Sequence, residues 1–251
     1  MNFKDFIITD RENRNSEKFE GTFLDYLEIV KQNPDVAKLS HKRLYDFIMS
    51  KGVEVLKADE NPRIRKIYGN ETIREYGYFK DDFFGIDKVI MKIVNYLHSA
   101  SMKGEESRQV LYLVGPVGAG KSSLVESLKS ALVHCEPIYS IKGCPMHEEP
   151  LHLVPNHLRD EFNKMLGAQI EGDLCPVCKY RLLHEFNGEY ENFPVERKGF
   201  SIRSRKGIGV VPPVDPNNQD TSILTGSIDI SKMAMYPEDD PRRFSFNGAF
   251  N

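Results

Sequence analysis

An α/β fold is what the 251-residue sequence predicts, and three successive observations predict it. A short apolar run, "QVLYLV" (residues 109–114), has the length and the β-branched and aromatic content of a buried strand. A glycine-rich turn follows at once. Then "KSSLVESLKSALVH" (121–134) carries Leu124, Val125, Leu128 and Leu132 along one side of a helix. Strand, glycine-rich loop and helix in that order predict a three-layer α/β P-loop core with an incomplete sheet. A small helical N-terminal subdomain and a metal-binding insertion complete the expected architecture.

Composition bounds the rest. The hydrophobic fraction of 40% and the dispersed charge are those of a globular chain, not a disordered one. The net charge of −3 does not call for nucleic acid as a partner. The charged N-terminus has no apolar stretch behind a basic start, so it is no signal peptide, and no window is apolar enough for a membrane span. The four cysteines are then expected as reduced thiols or metal ligands, and the expected location is the cytoplasm.

In chain order, residues 1–20 are polar and expected to fray. "GTFLDYLEIVKQNP" (21–34) predicts a helix capped by Thr22, with Phe23, Leu27 and Val30 on one face and Pro34 beyond its end. "LSHKRLYDFIMSKG" (39–52) predicts another, with Ser40 as cap, Leu44, Phe47 and Ile48 as its stripe, and Gly52 as terminator. These helices define the N-terminal subdomain, residues 1–80, ahead of a nucleotide-binding domain over 81–251. In "DDFFGIDKVIMKIVNYLHSA" (81–100), Ile86, Val89, Ile90, Ile93, Val94 and Leu97 recur at helical spacing. "EPIYSI" (136–141) reads as a second strand, and "NHLRDEFNKMLGA" (156–168) as a helix begun by Asn156 and ended by Gly167. Residues 143–206 form a turn-rich insertion, and 207–251 are rich in Pro, Asn and Asp, with one strand expected around Ile223.

Gly115-Pro116-Val117-Gly118-Ala119-Gly120-Lys121-Ser122 matches G-x-x-x-x-G-K-[ST] in full. Glycines let backbone N–H groups curl around phosphate oxygens without Cβ clashes, and the next helix aims its N-terminus at the same anion. Lys121 can reach the β- and γ-phosphates, and the Ser122 hydroxyl can ligate Mg²⁺, with Ser123 beside it. A bare glycine-rich turn is the bland alternative, and the full match with both flanking elements argues against it. Upstream, Phe84 and Gly85 are placed to pack on an adenine, although Phe84 would equally suit the core.

Cys144-Pro145-Met146-His147 and Cys175-Pro176-Val177-Cys178 offer four ligands in two tight pairs. Cys₃His is a common closed zinc set, and a proline after each leading cysteine favours the turn such a pair needs. His152 is a substitute ligand, and Cys135, at a helix end, reads as packing. Redox chemistry is the weaker alternative, since a thioredoxin-like motif should open a helix after a strand and "GDLCPVCKYRL" does not announce one. Uninvolved thiols are the third. Other signals are set aside. "DPNNQDTSILTG" (215–226) lacks the glycine and glutamate of a calcium loop. "RKGFSIRSRK" (197–206) reads as a solvated basic loop. "HLRD" and "DDFFG" do not fit the kinase loops they mimic.

Four stretches, "GPVGAGKSSL", "GCPMHEEPLHLVP", "LCPVCKYRL" and "GVVPPVDPNNQDTSILTGSIDISKM", together resemble the PrkA-type serine protein kinases of bacteria, over about residue 20 to the end. The cysteine-bearing form is similar to the branch of Gram-positive spore formers. The resemblance implies an AAA+ ATPase-like domain, ATP with Mg²⁺ at residues 115–123, a protein substrate, and assembly as a homo-oligomeric ring. It implies a part in stress response and sporulation, and, in full-length members, a C-terminal region distantly related to eukaryotic kinases. An acidic Walker-B strand, a polar sensor and an arginine finger are not found in these residues. The chain therefore looks like the N-terminal part of a longer protein, expected to be inactive alone. The functions weighed are transfer of the γ-phosphate to protein serine, an AAA+ motor that remodels proteins or regulates a protease, and a nucleotide-switched scaffold.

Overall fold

The computed structural model describes residues 3, 4, 7, 19–57, 62–204, 206–211 and 220–250. The regular elements begin with β1 (Glu20–Thr22), α1 (Phe23–Gln32), α2 (Ser40–Ser50), β2 (Val53–Leu56), α3 (Pro62–Tyr68) and β3 (Ile73–Tyr76). The helices α4 (Asp87–Ser101) and α5 (Lys121–Val133) flank the glycine-rich loop. Then come β4 (Ile138–Ile141), α6 (Arg159–Leu166), α7 (Pro176–His184) and β5 (Pro194–Lys198). Short elements close the chain: α8 (Ser222–Thr225), β6 (Ser227–Ile228), α9 (Ile230–Met233) and β7 (Phe244–Ser245). No helix of the described residues is long and apolar enough to cross a membrane.

The chain divides into two compact units: Lys38–Cys135, and Met1–Ala37 together with Glu136–Asn251. The division expected at residue 80 is not the one the packing makes. The reason is a non-local strand pairing that no local pattern announces.

In the discontinuous unit, β5 lies between β1 and β4, antiparallel to both. Thr22 faces Pro194 and Ile141 faces Val195. Thus the turn-rich segment expected at 143–206 leaves β4 and returns as β5. α1 follows β1 without a break, since Thr22 caps it: the Thr22 hydroxyl accepts from Asp25 N–H, and the Asp25 carboxylate accepts from Thr22 N–H, a capping box. Phe23, Tyr26 and Val30 turn inward and pack with Ile141, Phe193 and Val195. The Tyr26 hydroxyl donates to Glu149 at 2.5 Å, and the Arg181 guanidinium lies over the Phe193 ring. α1 thus supplies the turn-rich insertion with part of its core.

In the contiguous unit, α2 packs against α4 and α5. Leu44 and Ile48 meet Ile90, Ile93, Val94 and Leu97, with Leu124 and Ala131 of α5. The expected α4 stripe is present except at Val89, which is exposed. β2 and β3 form an antiparallel pair, Val53 facing Tyr76.

Four local expectations need correction. Ser40 is the first helical residue of α2, whose cap position is Leu39, because the chain enters the helix one residue earlier. Asn156 begins a 3₁₀ turn, Asn156–Leu158, and α6 starts only at Arg159, although Gly167 ends it as expected. Ile223 lies in α8, and the nearby strand is β6. Residues 110–114 are not a strand: no described residue pairs with their backbone, and Val110, Tyr112 and Val114 are exposed. A strand exists only against a neighbour, and the sheets of the described residues are antiparallel pairs or triplets elsewhere. Most of residues 1–20, much of the rejected calcium-like stretch and Arg205 of the basic loop lie outside the described residues.

Phe23→Ala should destabilise the discontinuous unit by about 3–5 kcal/mol, and Thr22→Ala by about 1 kcal/mol. Urea unfolding followed by circular dichroism checks both, as the chain has no tryptophan.

Candidate functional site

The glycine-rich loop is built as a backbone cradle. Gly118 and Gly120 take φ of +81° and +77°, and a Cβ on either would meet nothing within 4 Å. Glycine is thus required there by the left-handed backbone, not by crowding. Gly120 is the cap position of α5 and supplies no side chain, and among the described residues no side-chain cap hydrogen bond reaches the first N–H groups of the helix. Those donors and the positive end of the helix dipole are what an anion would use. Ser122 and Ser123 are exposed in the first turn. The Lys121 ammonium donates to Gly115 O and Pro116 O, each at 2.7 Å, which holds the charge at the loop. Behind the loop, α5 is anchored by buried Leu124 and Ala131 and by the Tyr78 hydroxyl, which donates to Ser127 O at 2.7 Å. Residues 115–123 are therefore brought together in an arrangement able to hold a polyphosphate, with a hydroxyl available to a divalent cation.

Phe84 is no core residue: it is 88% exposed. With Gly85 it lines a cleft of about 440 Å³ whose other walls include Leu56, Ile67, Tyr68 and Phe83. Its apolar walls suit a planar aromatic group, and Glu54, Lys66, Glu75, Lys80 and Asp87 supply charge around them.

The other cluster lies in the discontinuous unit. Cys144, Cys175 and Cys178 are buried with Glu148, and their ligand atoms all lie within 4.8 Å of one another. Cys144 Sγ and Cys175 Sγ are 3.7 Å apart, and Cys178 N–H donates to Cys175 Sγ at 3.3 Å. The second pair is set by α7, for which Cys175 is the cap and Pro176 the first residue. So this C-x-x-C does open a helix, contrary to the sequence reading, but no strand leads into it. Hydrogen bonds from Cys175 and Cys178 pull the Cys144 thiol far below its ordinary range. The bond to Cys144 pushes Cys175 up, to about 12, and pushes Cys178 up as well.

His147 does not join this cluster. It sits at φ +50°, and its Nδ1 accepts from the Lys198 ammonium at 3.0 Å. Burial and then the Lys198 charge hold its pKa below the ordinary value. The carboxylate that stands in the cluster is Glu148, the next residue, which spacing rules for Cys and His do not select. Its Oε1 is 3.1 Å from His152 Nδ1. His152 is raised above its ordinary value: burial opposes this, but the Glu148 bond and charge outweigh it. Cys135 is half-buried, with its thiol on Ala131 O at 3.4 Å.

The family model described as the PrkA AAA domain matches residues 21–251. A Bacillus subtilis protein named ATP-dependent protease PrkA is 42% identical over 96% of this chain, which covers 37% of that protein. An Escherichia coli protein named serine/threonine kinase YeaG is 33% identical over 99% of the chain, covering 39% of it. The chain thus spans under two-fifths of the length of these relatives. A Lon protease of Methanosphaera stadtmanae is 34% identical over 45% of the chain and 13% of its own length. No solved structure matches.

Gly118→Ala and Gly120→Ala should each weaken binding of a fluorescent ATP analogue by roughly ten-fold, the left-handed backbone costing an L-residue about 1–2 kcal/mol. Unchanged titration curves would mean that the loop does not hold the phosphates.

Proposed function

The chain belongs to the PrkA AAA-domain family, and from that premise we propose that residues 115–123 bind MgATP for work on a protein substrate. The observation that carries the reading is the exposed glycine-rich loop running into the uncapped N-terminus of α5. Backbone N–H groups and Lys121 hold the phosphates, and Ser122 is the side chain offered to Mg²⁺. Phe84 and Gly85 receive the adenine. The apolar segment 110–114, largely exposed, leads directly into the glycine-rich loop.

The relatives' names point to two fates for the γ-phosphate. We favour hydrolysis coupled to handling of a protein, in a ring of subunits. Support comes from the similarity to a protein named an ATP-dependent protease and from the partial similarity to a Lon protease. Transfer to protein serine is the second reading, favoured by the name of the Escherichia coli relative. Hydrolysis and transfer both need a residue that positions the nucleophile and a charge that stabilises the transition state. The sequence between Ser122 and Asn251 has no apolar strand ending in Asp or Glu to supply the first. The chain by itself accordingly binds nucleotide weakly and turns over none. The insertion that carries Cys144, Cys175 and Cys178 holds a structural zinc ion.

The test uses γ-labelled ATP with this chain, with its Lys121→Ala variant, and with the full-length Bacillus subtilis relative alongside. In the relative, label released as free phosphate should far exceed label on serine. Repeated stoichiometric labelling of serine would instead establish the kinase reading. Brisk turnover by the chain alone, abolished by Lys121→Ala, would overturn its dependence on further residues. Phe84→Ala should weaken ATP while leaving inorganic triphosphate unchanged, which isothermal titration calorimetry can measure.

A further inference from the structure

We propose that the fourth zinc ligand is the carboxylate of Glu148, not the imidazole of His147, and that His152 is a positioning residue for that carboxylate. The inference rests on the reading that the insertion holds zinc, and deepens it.

Geometry is the first argument. Tetrahedral zinc with Zn–S bonds of about 2.3 Å sets sulfurs about 3.8 Å apart, and Cys144 Sγ and Cys175 Sγ are 3.7 Å apart. Glu148 Oε2 faces Cys144 Sγ at 3.9 Å, with all four ligand atoms within 4.8 Å of one another. Small contractions bring these atoms onto one ion.

Charge is the second. Glu148 is buried, its side chain 5% exposed, among three buried thiols. Among the described residues no lysine or arginine pairs with Glu148 or with these sulfurs; the ion-pair partner of Glu148 is His152. A carboxylate buried beside three sulfurs without a lysine or arginine partner carries a desolvation cost, which a divalent cation held among these groups offsets.

Orientation is the third. Glu148 Oε1 is engaged outside the cluster, accepting from Cys175 N–H at 2.7 Å and lying 3.1 Å from His152 Nδ1. These bonds leave Oε2 turned toward the sulfurs. Carboxylates that ligate metals are themselves held by hydrogen bonds from outer groups, the place His152 occupies here. His147 is committed elsewhere, its Nδ1 on the Lys198 ammonium, and that ammonium is itself paired with Glu196 at 2.9 Å.

Zinc K-edge X-ray absorption on the purified chain, with metal content by mass spectrometry, decides the matter. The expected result is one zinc per chain, three sulfur neighbours and one oxygen, without the outer-shell scattering of an imidazole. His147→Ala should keep its zinc. Glu148→Gln should lose zinc affinity by at least about 100-fold, and His152→Ala by about 10–100-fold with the three-sulfur, one-oxygen shell retained in the bound fraction. Imidazole scattering in the wild type, loss of zinc in His147→Ala, or full retention in Glu148→Gln (a water supplying the oxygen) would overturn the carboxylate assignment while leaving the zinc reading intact. A wild-type chain that takes up no zinc under reducing conditions, with Cys175→Ser unchanged in stability, would overturn both. Should the Glu148 variant fail to fold, the wild-type spectrum alone separates oxygen from imidazole.

Discussion

The antiparallel pairing of β5 with β1 on one side and β4 on the other is the constraint on which the cysteine-bearing unit depends. It joins residues 20–22 to residues 194–196, and makes the long turn-rich segment a closed excursion between two hydrogen-bonded strands. Without β1, α1 would have no fixed entry, and Phe23, Tyr26 and Val30 would not reach the core they share with Ile141, Phe193 and Val195. Cys144, Cys175 and Cys178 belong to that same core. Their mutual distances are therefore set by the sheet and by α7, and not only by the turns around each pair.

The glycine-rich loop obeys a different logic. It needs no distant partner to have its shape, since two left-handed glycines and the start of α5 define it locally. What it needs is a rigid support, and buried Leu124 and Ala131 provide one through the packing of α5 with α2 and α4. A phosphate site made of backbone donors tolerates much variation in side chains, which is why the motif is short and still specific.

The two sites differ in how far local sequence could reach them. The conformation of the glycine-rich loop and the Thr22 cap were legible because each follows from a fixed spacing along the chain. The α4 stripe was legible through its period. The strand expected at 109–114 was not: an apolar run reports a wish for burial, while a strand requires a neighbour to accept its hydrogen bonds. Asn156 and Ser40 were misplaced as caps because a capping residue is recognised by its backbone geometry, and composition constrains that only loosely.

The sequence by itself determined the glycine-rich loop ahead of its helix, the main helices and the membership of three cysteines in one cluster, since these follow from short-range spacing and periodicity. Tertiary structure alone decided that α1 belongs with the cysteine unit and not with α2, because strand pairing between distant segments has no local signature. It likewise placed Glu148, and not His147, beside the three cysteines. Adjacent in sequence, they are separated by a left-handed turn at His147, which commits the imidazole to Lys198 and leaves the carboxylate buried among the sulfurs.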